Sequence, residues 1–377
     1  ILGFVEDTKF SVDRGFYSEA FELAITTSTE GATIRYTLNG SDPTETNGNE
    51  YTGPIQIGGT TILRAAAFKD DYQSSNIDTQ TYLFVGDIVN QSPTGEKPTS
   101  EWPNAGQTSS GGRPGQGGQG GGQGGGSQVM NYGMDPDVTG DSRYADLMDD
   151  ALLAIPSLSI VTPLSNLFNT STGIYMNPLQ DGIAWERPVS VELLNPDGSE
   201  GFQVNAGLRI RGGTTRSTSN PKHSFRLFFR ADYGDAKLKY PLFDDEGVEE
   251  FDKVDLRTAS NFSWSYSDAA NCTFLYDIFT RDAQREMGQP YTRSRYYHLY
   301  LDGVYWGLYQ TEERPEANYG ASYFGGSSDD YDTIKADNDS GVIYATDGSL
   351  ETYQKLWTEA TSGFTDNEDY FRVQGLN

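Results

Sequence analysis

Residues 296–316, YYHLYLDGVYWGLYQTEERPE, leave the chain little choice of local structure. Two aromatic-rich apolar runs flank Asp302-Gly303, a dipeptide that tolerates the positive φ angles of a two-residue hairpin turn. With the loop length set, the register follows: Leu301 is expected opposite Val304, Tyr300 opposite Tyr305, Leu299 opposite Trp306 and His298 opposite Gly307. The second strand runs into the charged cluster Glu312-Glu313-Arg314, closed by Pro315. A stiff hairpin is a suitable element on which to mount a carboxylate, since sites are held best by rigid elements.

Composition narrows the class. The 377 residues allow two or three domains. The formal charge of −27 argues against binding to nucleic acid or to anionic membranes. One cysteine, Cys272, excludes an intramolecular disulfide and a cysteine-rich zinc site; it reads as a small buried hydrophobe. No run of eighteen apolar residues is present, so no transmembrane segment is expected. The chain begins at Ile1 and has no signal peptide, and we read it as an excerpt of a longer exported precursor.

Between Lys9 and Val85, short β patterns alternate with Gly, Asn, Asp and Pro breaks: Phe10–Gly15, Phe21–Thr26, Thr33–Leu38, Thr61–Phe68 and Thr79–Phe84. Strands at this spacing indicate a β-sandwich over residues 1–85. Tyr36, Tyr51 and Tyr72 are candidate carbohydrate contacts, although aromatics on a sandwich more often serve its core. Residues 86–130 shift to Pro, Ser, Thr, Gln and Gly, with eleven glycines in the sixteen residues 111–126. Such a stretch buries too little apolar area to offset its ordering entropy and reads as a flexible linker.

Residues 131–377 form the third region. Asp135, Asp137 and Asp141 fall at calcium-loop positions 1, 3 and 7, with Gly140 at position 6, making a candidate calcium site; the competing reading is a capped turn leading into a helix, 142–153. Strands are expected at 187–195, 202–211, 223–230 and near 251–257, followed by an amphipathic helix over 268–287 ended by Gly288 and Pro290. The loop Arg211-Gly212-Gly213-Thr214-Thr215-Arg216 offers backbone amides, hydroxyls and guanidiniums suited to phosphate oxygens. Neither a GxxxxGK[ST] run nor a histidine pair suited to zinc or a Ser-His-Asp triad is present.

Three blocks resemble the CotH kinase family, relatives of spore-coat protein H: Tyr305-x-Gly307-x-Tyr309-x-x-Glu312, Arg211-Gly212 followed by Pro221-Lys222-His223-Ser224-Phe225-Arg226-Leu227, and Tyr331-Asp332-Thr333-Ile334-Lys335. The block 31–44, with Tyr51–Ile55 and Leu63–Ala65, resembles the chitobiase C-terminal type of immunoglobulin-like module. The resemblance implies an α+β chain in which the sandwich is joined by the linker to an atypical protein-kinase-like domain, present mainly as its N-lobe. It implies ATP and Mg²⁺ as cofactors, an extracellular or coat protein as phosphate acceptor, and a secreted or cell-surface location. By analogy with kinases, Lys222 is the expected phosphate contact, partnered by Asp277 or Glu286 on the helix, with Arg211, Gly212 and Gly213 beside the phosphates and Glu312 at the lobe junction. The family's metal-binding aspartates lie beyond the segment resembling Tyr370–Asn377, and no HRD or DFG triplet occurs. The alternative function is a non-catalytic structural or adhesive part of an extracellular assembly, carbohydrate-associated or self-associating as a homo-oligomer.

Overall fold

A computed structural model of the chain describes residues 2–105, 128–258, 272–337 and 340–374. The glycine-rich run expected to act as a tether, and the first residues of the expected 268–287 helix, lie outside the described residues. The chain divides into two compact units, one of Ile1–Leu242 with Glu249–Glu312 and one of Phe243–Val248 with Glu313–Asn377.

The first unit opens with the sandwich. Its larger sheet runs in the order Gly15–Tyr17, Asp78–Phe84, Thr61–Phe68, Thr33–Thr37, Asn49–Glu50. The pairs Phe21–Leu23 with Ile55–Ile57 and Lys9–Phe10 with Ile25–Thr26 make up the other strands. Leu23, Ile25, Ile57, Leu63 and Tyr82 fill the core, and Tyr36 and Tyr51 pack against it. These two tyrosines therefore take the core role.

Seven further strands close into a barrel: β1 (Ser157–Val161), β2 (Arg187–Leu194), β3 (Gln203–Arg211), β4 (Ser224–Phe228), β5 (Lys253–Thr258), β6 (Ser294–Leu301) and β7 (Val304–Glu312). The order is β1-β2-β3-β4-β5-β7-β6, and a parallel pairing of β1 with β6 closes the ring. Closure leaves no unpaired edge, which is the usual hazard of a sheet. Along each strand alternate residues turn inward. Leu158, Val191, Leu208, Phe225, Leu227, Leu256 and Leu299 are each no more than 3 % exposed and share inward registers across the pairs. Strand β1 was not among the sequence expectations. All five of its residues are buried, so it shows no alternation to read.

The β6–β7 hairpin turns at Asp302 (φ 45°) and Gly303 (φ 79°), the two positive angles that its sequence calls for. Leu301 faces Val304 and Tyr300 faces Tyr305 as expected, but Leu299 then faces Gly307 and His298 faces Leu308. The expected pairs Leu299–Trp306 and His298–Gly307 are thus corrected by one residue, because Trp306 is bulged out of the ladder. Gly307 takes φ 133°, a conformation side chains resist. The bulge reverses the alternation, so Trp306 and Tyr309, three apart, both reach the aromatic group around Tyr175 and Phe225.

The described flanks of the glycine-rich run are packed down. Trp102 is 4 % exposed and lies against Tyr132, Phe168 and Trp306. The Tyr132 hydroxyl donates to the Pro103 carbonyl at 2.8 Å, so the two flanks meet. Sandwich and barrel also touch directly. Leu83 and Ile88 share an apolar cluster with Leu152, Leu194 and Tyr300, and the Gln91 side chain bonds both backbone groups of Tyr305, at 2.7 and 3.0 Å.

The second unit holds a helix, Ala317–Phe324, a hairpin, Thr333–Ala336 with Ile343–Asp347, and helices Glu351–Ser362 and Asn367–Gln374. The Tyr331-Asp332 pair fastens it. A Cβ at Gly320 would lie 2.6 Å from the Tyr331 ring, and the Asp332 carboxylate accepts the Ser349 amide at 2.6 Å.

Gly307→Val is expected to remove about 1–3 kcal/mol of stability, because it forces a β-branched residue into a glycine conformation. Denaturant unfolding followed by tryptophan fluorescence checks this, and an unchanged midpoint would mean that the bulge is dispensable.

Candidate functional site

The outward positions of β3, β4, β5 and β7 carry charge. Arg209 lies opposite Arg226, Arg226 opposite Asp255, Asp255 opposite Glu312, and Arg257 opposite Gln310. Residues directly opposite share a face, so these side chains form one row across four strands. The alternation was visible in Ser224–Phe228 (SFRLF) and Lys253–Thr258 (KVDLRT). Which strands would be neighbours was not.

Asp255 and Glu312 are like charges directly opposite, an unfavourable pair by itself. Arg211 compensates both, with Nε 3.0 Å from Asp255 and Nη1 3.6 Å from Glu312. Arg226 grips Asp255 with two nitrogens. Arg281 lies 3.0 Å and Arg257 3.5 Å from Glu312, whose side chain is only 6 % exposed, and Gln310 donates to it at 2.8 Å. Arg257 also pairs with Asp277. Among the described residues, four guanidiniums therefore converge on three carboxylates, leaving one positive charge in excess on a chain of net charge −27.

Asp277 and Arg281 come from the helix Tyr276–Glu286, which starts eight residues later than the expected 268 boundary. This helix faces the barrel with charge. Tyr276 and Phe279 on it, and Leu275 just before it, are exposed, while Ile278 and Ala283 are half-buried. Ionic partners on the barrel wall decide the orientation that an apolar stripe was expected to set.

Arg211 ends β3 and begins the glycine loop. Gly212 takes φ 118°, and a Cβ there would meet the Thr215 hydroxyl at 2.2 Å. Gly213 is exposed, and its carbonyl accepts the Arg216 amide at 3.1 Å. The structure thus brings Arg211, which leads into Gly212 and Gly213, together with Glu312. The two glycines are exposed, while the Arg211 guanidinium reaches the carboxylates of β5 and β7; guanidiniums and glycine amides are groups that can receive phosphate or carboxylate oxygens.

Lys222 is placed elsewhere. It precedes β4, its ammonium lies 3.6 Å over the Trp306 ring, and it donates to the Asn131 carbonyl at 2.7 Å. Burial pulls its pKa down to about 7. Neither expected helix acid reaches it: Asp277 pairs with Arg257, and Glu286 with Arg285. Lys222 instead holds the segment that returns from the glycine-rich run. His223 assists, with Nε2 3.0 Å from Gln128 and Nδ1 3.0 Å from the Thr215 carbonyl. Burial lowers its pKa to about 4, so it is neutral at pH 7.

The expected calcium loop is put to another use. Asp135 caps a one-turn helix, Pro136–Thr139, by accepting the Asp137 amide at 3.0 Å, and Asp141 is gripped by Arg143 at 2.7 and 3.0 Å. Proline at the second position starts a helix, which draws Asp135 into capping. Among the described residues, no three His, Cys, Asp or Glu side chains are gathered to hold a metal ion. The acidic group at 337–341 lies partly outside the described residues. Tyr72 borders a shallow depression of about 400 Å³ with Phe68, Glu45 and Gln73. Cys272 is buried, and among the described residues no helix is long and apolar enough to cross a membrane.

Residues 208–374 match the family model of the CotH kinase protein, and residues 12–79 match that of the chitobiase/beta-hexosaminidase C-terminal domain. Both modules recognised in the sequence are therefore present, and the CotH match takes in every residue of the cluster built around Glu312. No curated protein matches the chain.

Glu312→Ala is expected to cost about 3 kcal/mol, because it leaves the surrounding guanidiniums without their shared buried anion. Chemical denaturation reads this directly, and a loss below about 0.5 kcal/mol would mean that the cluster is only a surface network.

Proposed function

From a chain that carries a CotH kinase segment and a chitobiase-type module, we propose that the barrel is the nucleotide-binding part of a secreted, kinase-like domain, and that Arg211 with the Gly212 and Gly213 amides binds the phosphates of ATP. The CotH match supports a kinase-like or coat-related function. The observation that carries the finer reading is the fixing of Arg211: two carboxylates that would repel each other hold the guanidinium of the residue that leads into an exposed glycine loop. A preset fork costs little entropy on binding, and bidentate contact suits phosphate geometry. Glu312 orients Arg211 from behind, and Arg257 and Arg281 keep the surroundings positive as phosphate charge arrives.

Lys222 has a supporting part in this reading, since its ammonium is already satisfied by Asn131 and Trp306. In this reading the phosphate acceptor is an extracellular or coat protein, and Mg²⁺, when bound, would supply neutralisation of phosphate charge. The described residues gather no ligand set that fits this ion. A second reading, a non-catalytic part of an extracellular assembly, draws support from the direct packing of sandwich on barrel.

ATP binding by calorimetry, with and without Mg²⁺, separates the two. Arg211→Ala is expected to weaken binding at least tenfold, equivalent to about 1.4 kcal/mol, and Arg211→Lys to fall between. Lys222→Met should leave the Kd within about threefold while lowering the melting temperature, because it loses a charged hydrogen bond and a cation–π contact. An Arg211→Ala protein that is folded by circular dichroism and binds ATP normally would overturn the assignment. No ATP binding by the unaltered chain would leave the assembly reading.

A further inference from the structure

The joint between sandwich and barrel contains two barrel carboxylates, one on a fully buried residue and one on a half-buried turn residue with a buried oxygen. Glu192 on β2 is 0 % exposed; it lies 3.2 Å from Arg14, and the amide and hydroxyl of Thr81 both donate to it. The second, Asp302, is the first residue of the β6–β7 turn. Its Oδ1 accepts the Thr162 amide at 2.9 Å, while its buried Oδ2 has no partner among the described residues. The sandwich presses on it through glycine: a Cβ on Gly40 would lie 2.5 Å from Oδ1 and 2.6 Å from the Thr162 carbonyl. A Cβ on the neighbouring Gly303 would lie 3.4 Å from Ile62 and 3.8 Å from Thr60.

We propose that Asp302 sits in this joint as the neutral acid and acts as a protonation-controlled latch, so that the docking of the sandwich on the barrel weakens as pH rises. A buried carboxylate oxygen without a donor is costly when charged and far cheaper when protonated. The charged groups facing the joint do not remove that cost. Arg64 is the nearest cation, but it is held by Asp42 and by the Gly40 carbonyl at 3.0 Å. Arg14 is taken by Glu192, and Tyr82 beside Glu192 is itself neutral, its pKa raised by burial. Burial pushes the Asp302 carboxyl up to about 8, opposed by the Thr162 amide and Arg64, and it pushes Glu192 up to about 6, opposed by Arg14 and Thr81.

The sign follows from linkage. The docked form binds the proton more tightly than the exposed form, so the latch contributes fully below the ordinary carboxylate range near pH 4. That contribution falls as pH rises and is gone above about pH 8. The proton lost goes to bulk water.

The full chain and Asp302→Asn test this. Asparagine suits the same turn position, keeps an oxygen for the Thr162 amide and carries no charge. The two proteins are expected to melt within about 2 °C of each other at pH 5, and the variant to melt higher at pH 9, by about 3 °C or more. Hydrogen exchange should locate the effect: after correction for intrinsic rates, the Thr81 and Tyr305 amides, bonded across the joint, lose protection in the wild type at pH 9 and keep it in the variant. Melting curves that stay parallel across this range would overturn the proposal. If the variant does not fold, the carboxyl shift of Asp302 followed by NMR in the wild type decides: a midpoint above 7 is expected, and one below 5 refutes it.

Discussion

The β6–β7 hairpin joins the main parts of the first unit, and its geometry rests on the positive φ angles at Asp302, Gly303 and Gly307. At the turn, Asp302 and Gly303 fit against the sandwich. At the bulge, Trp306 reaches the aromatic group that receives Trp102 and Tyr132, and with them the flanks of the glycine-rich run. At the far end, Glu312 gathers Arg211, Arg257 and Arg281. One strand of nine residues thus meets the module, the barrel interior and the charged row in turn.

The barrel wall divides its outward surface by chemistry. On β1, β2 and β6, the outward residues Ser159, Glu192, Leu194 and Tyr300 are covered by the sandwich. On β3, β4, β5 and β7 the corresponding positions carry arginine and carboxylate, partly open to water. The sandwich thus shields a polar flank of the barrel, and the two are parts of one compact unit.

Much of the local structure was legible because it depends on neighbours in sequence. The strands at 187–194 and 203–211 follow from alternation bounded by turn residues, the sandwich strand Thr61–Phe68 from an apolar run between such residues, and the turn from Asp302-Gly303 itself. The candidate site was legible only in part. Arg211 and its glycines were singled out as one loop, whereas the contact of Arg211 with Glu312 was not foreseen, and the expected Lys222–acid pair is absent, because a nearby tryptophan and carbonyl already satisfy the ammonium. Asp135 and Asp141 have the spacing of a calcium loop, and in the fold one caps a helix and the other pairs with an arginine.

By itself, the sequence determined the two module types, the strand pattern and the presence of a hairpin ending in a carboxylate, since each is encoded within a few tens of residues. Only the tertiary structure decided that the strands close into a barrel, that Trp306 leaves the ladder and that Asp255, Asp277 and Glu312 share four arginines. These outcomes depend on which distant strands become neighbours. That choice is made by burying apolar faces and neutralising charges between segments up to a hundred residues or more apart, and no local pattern records it.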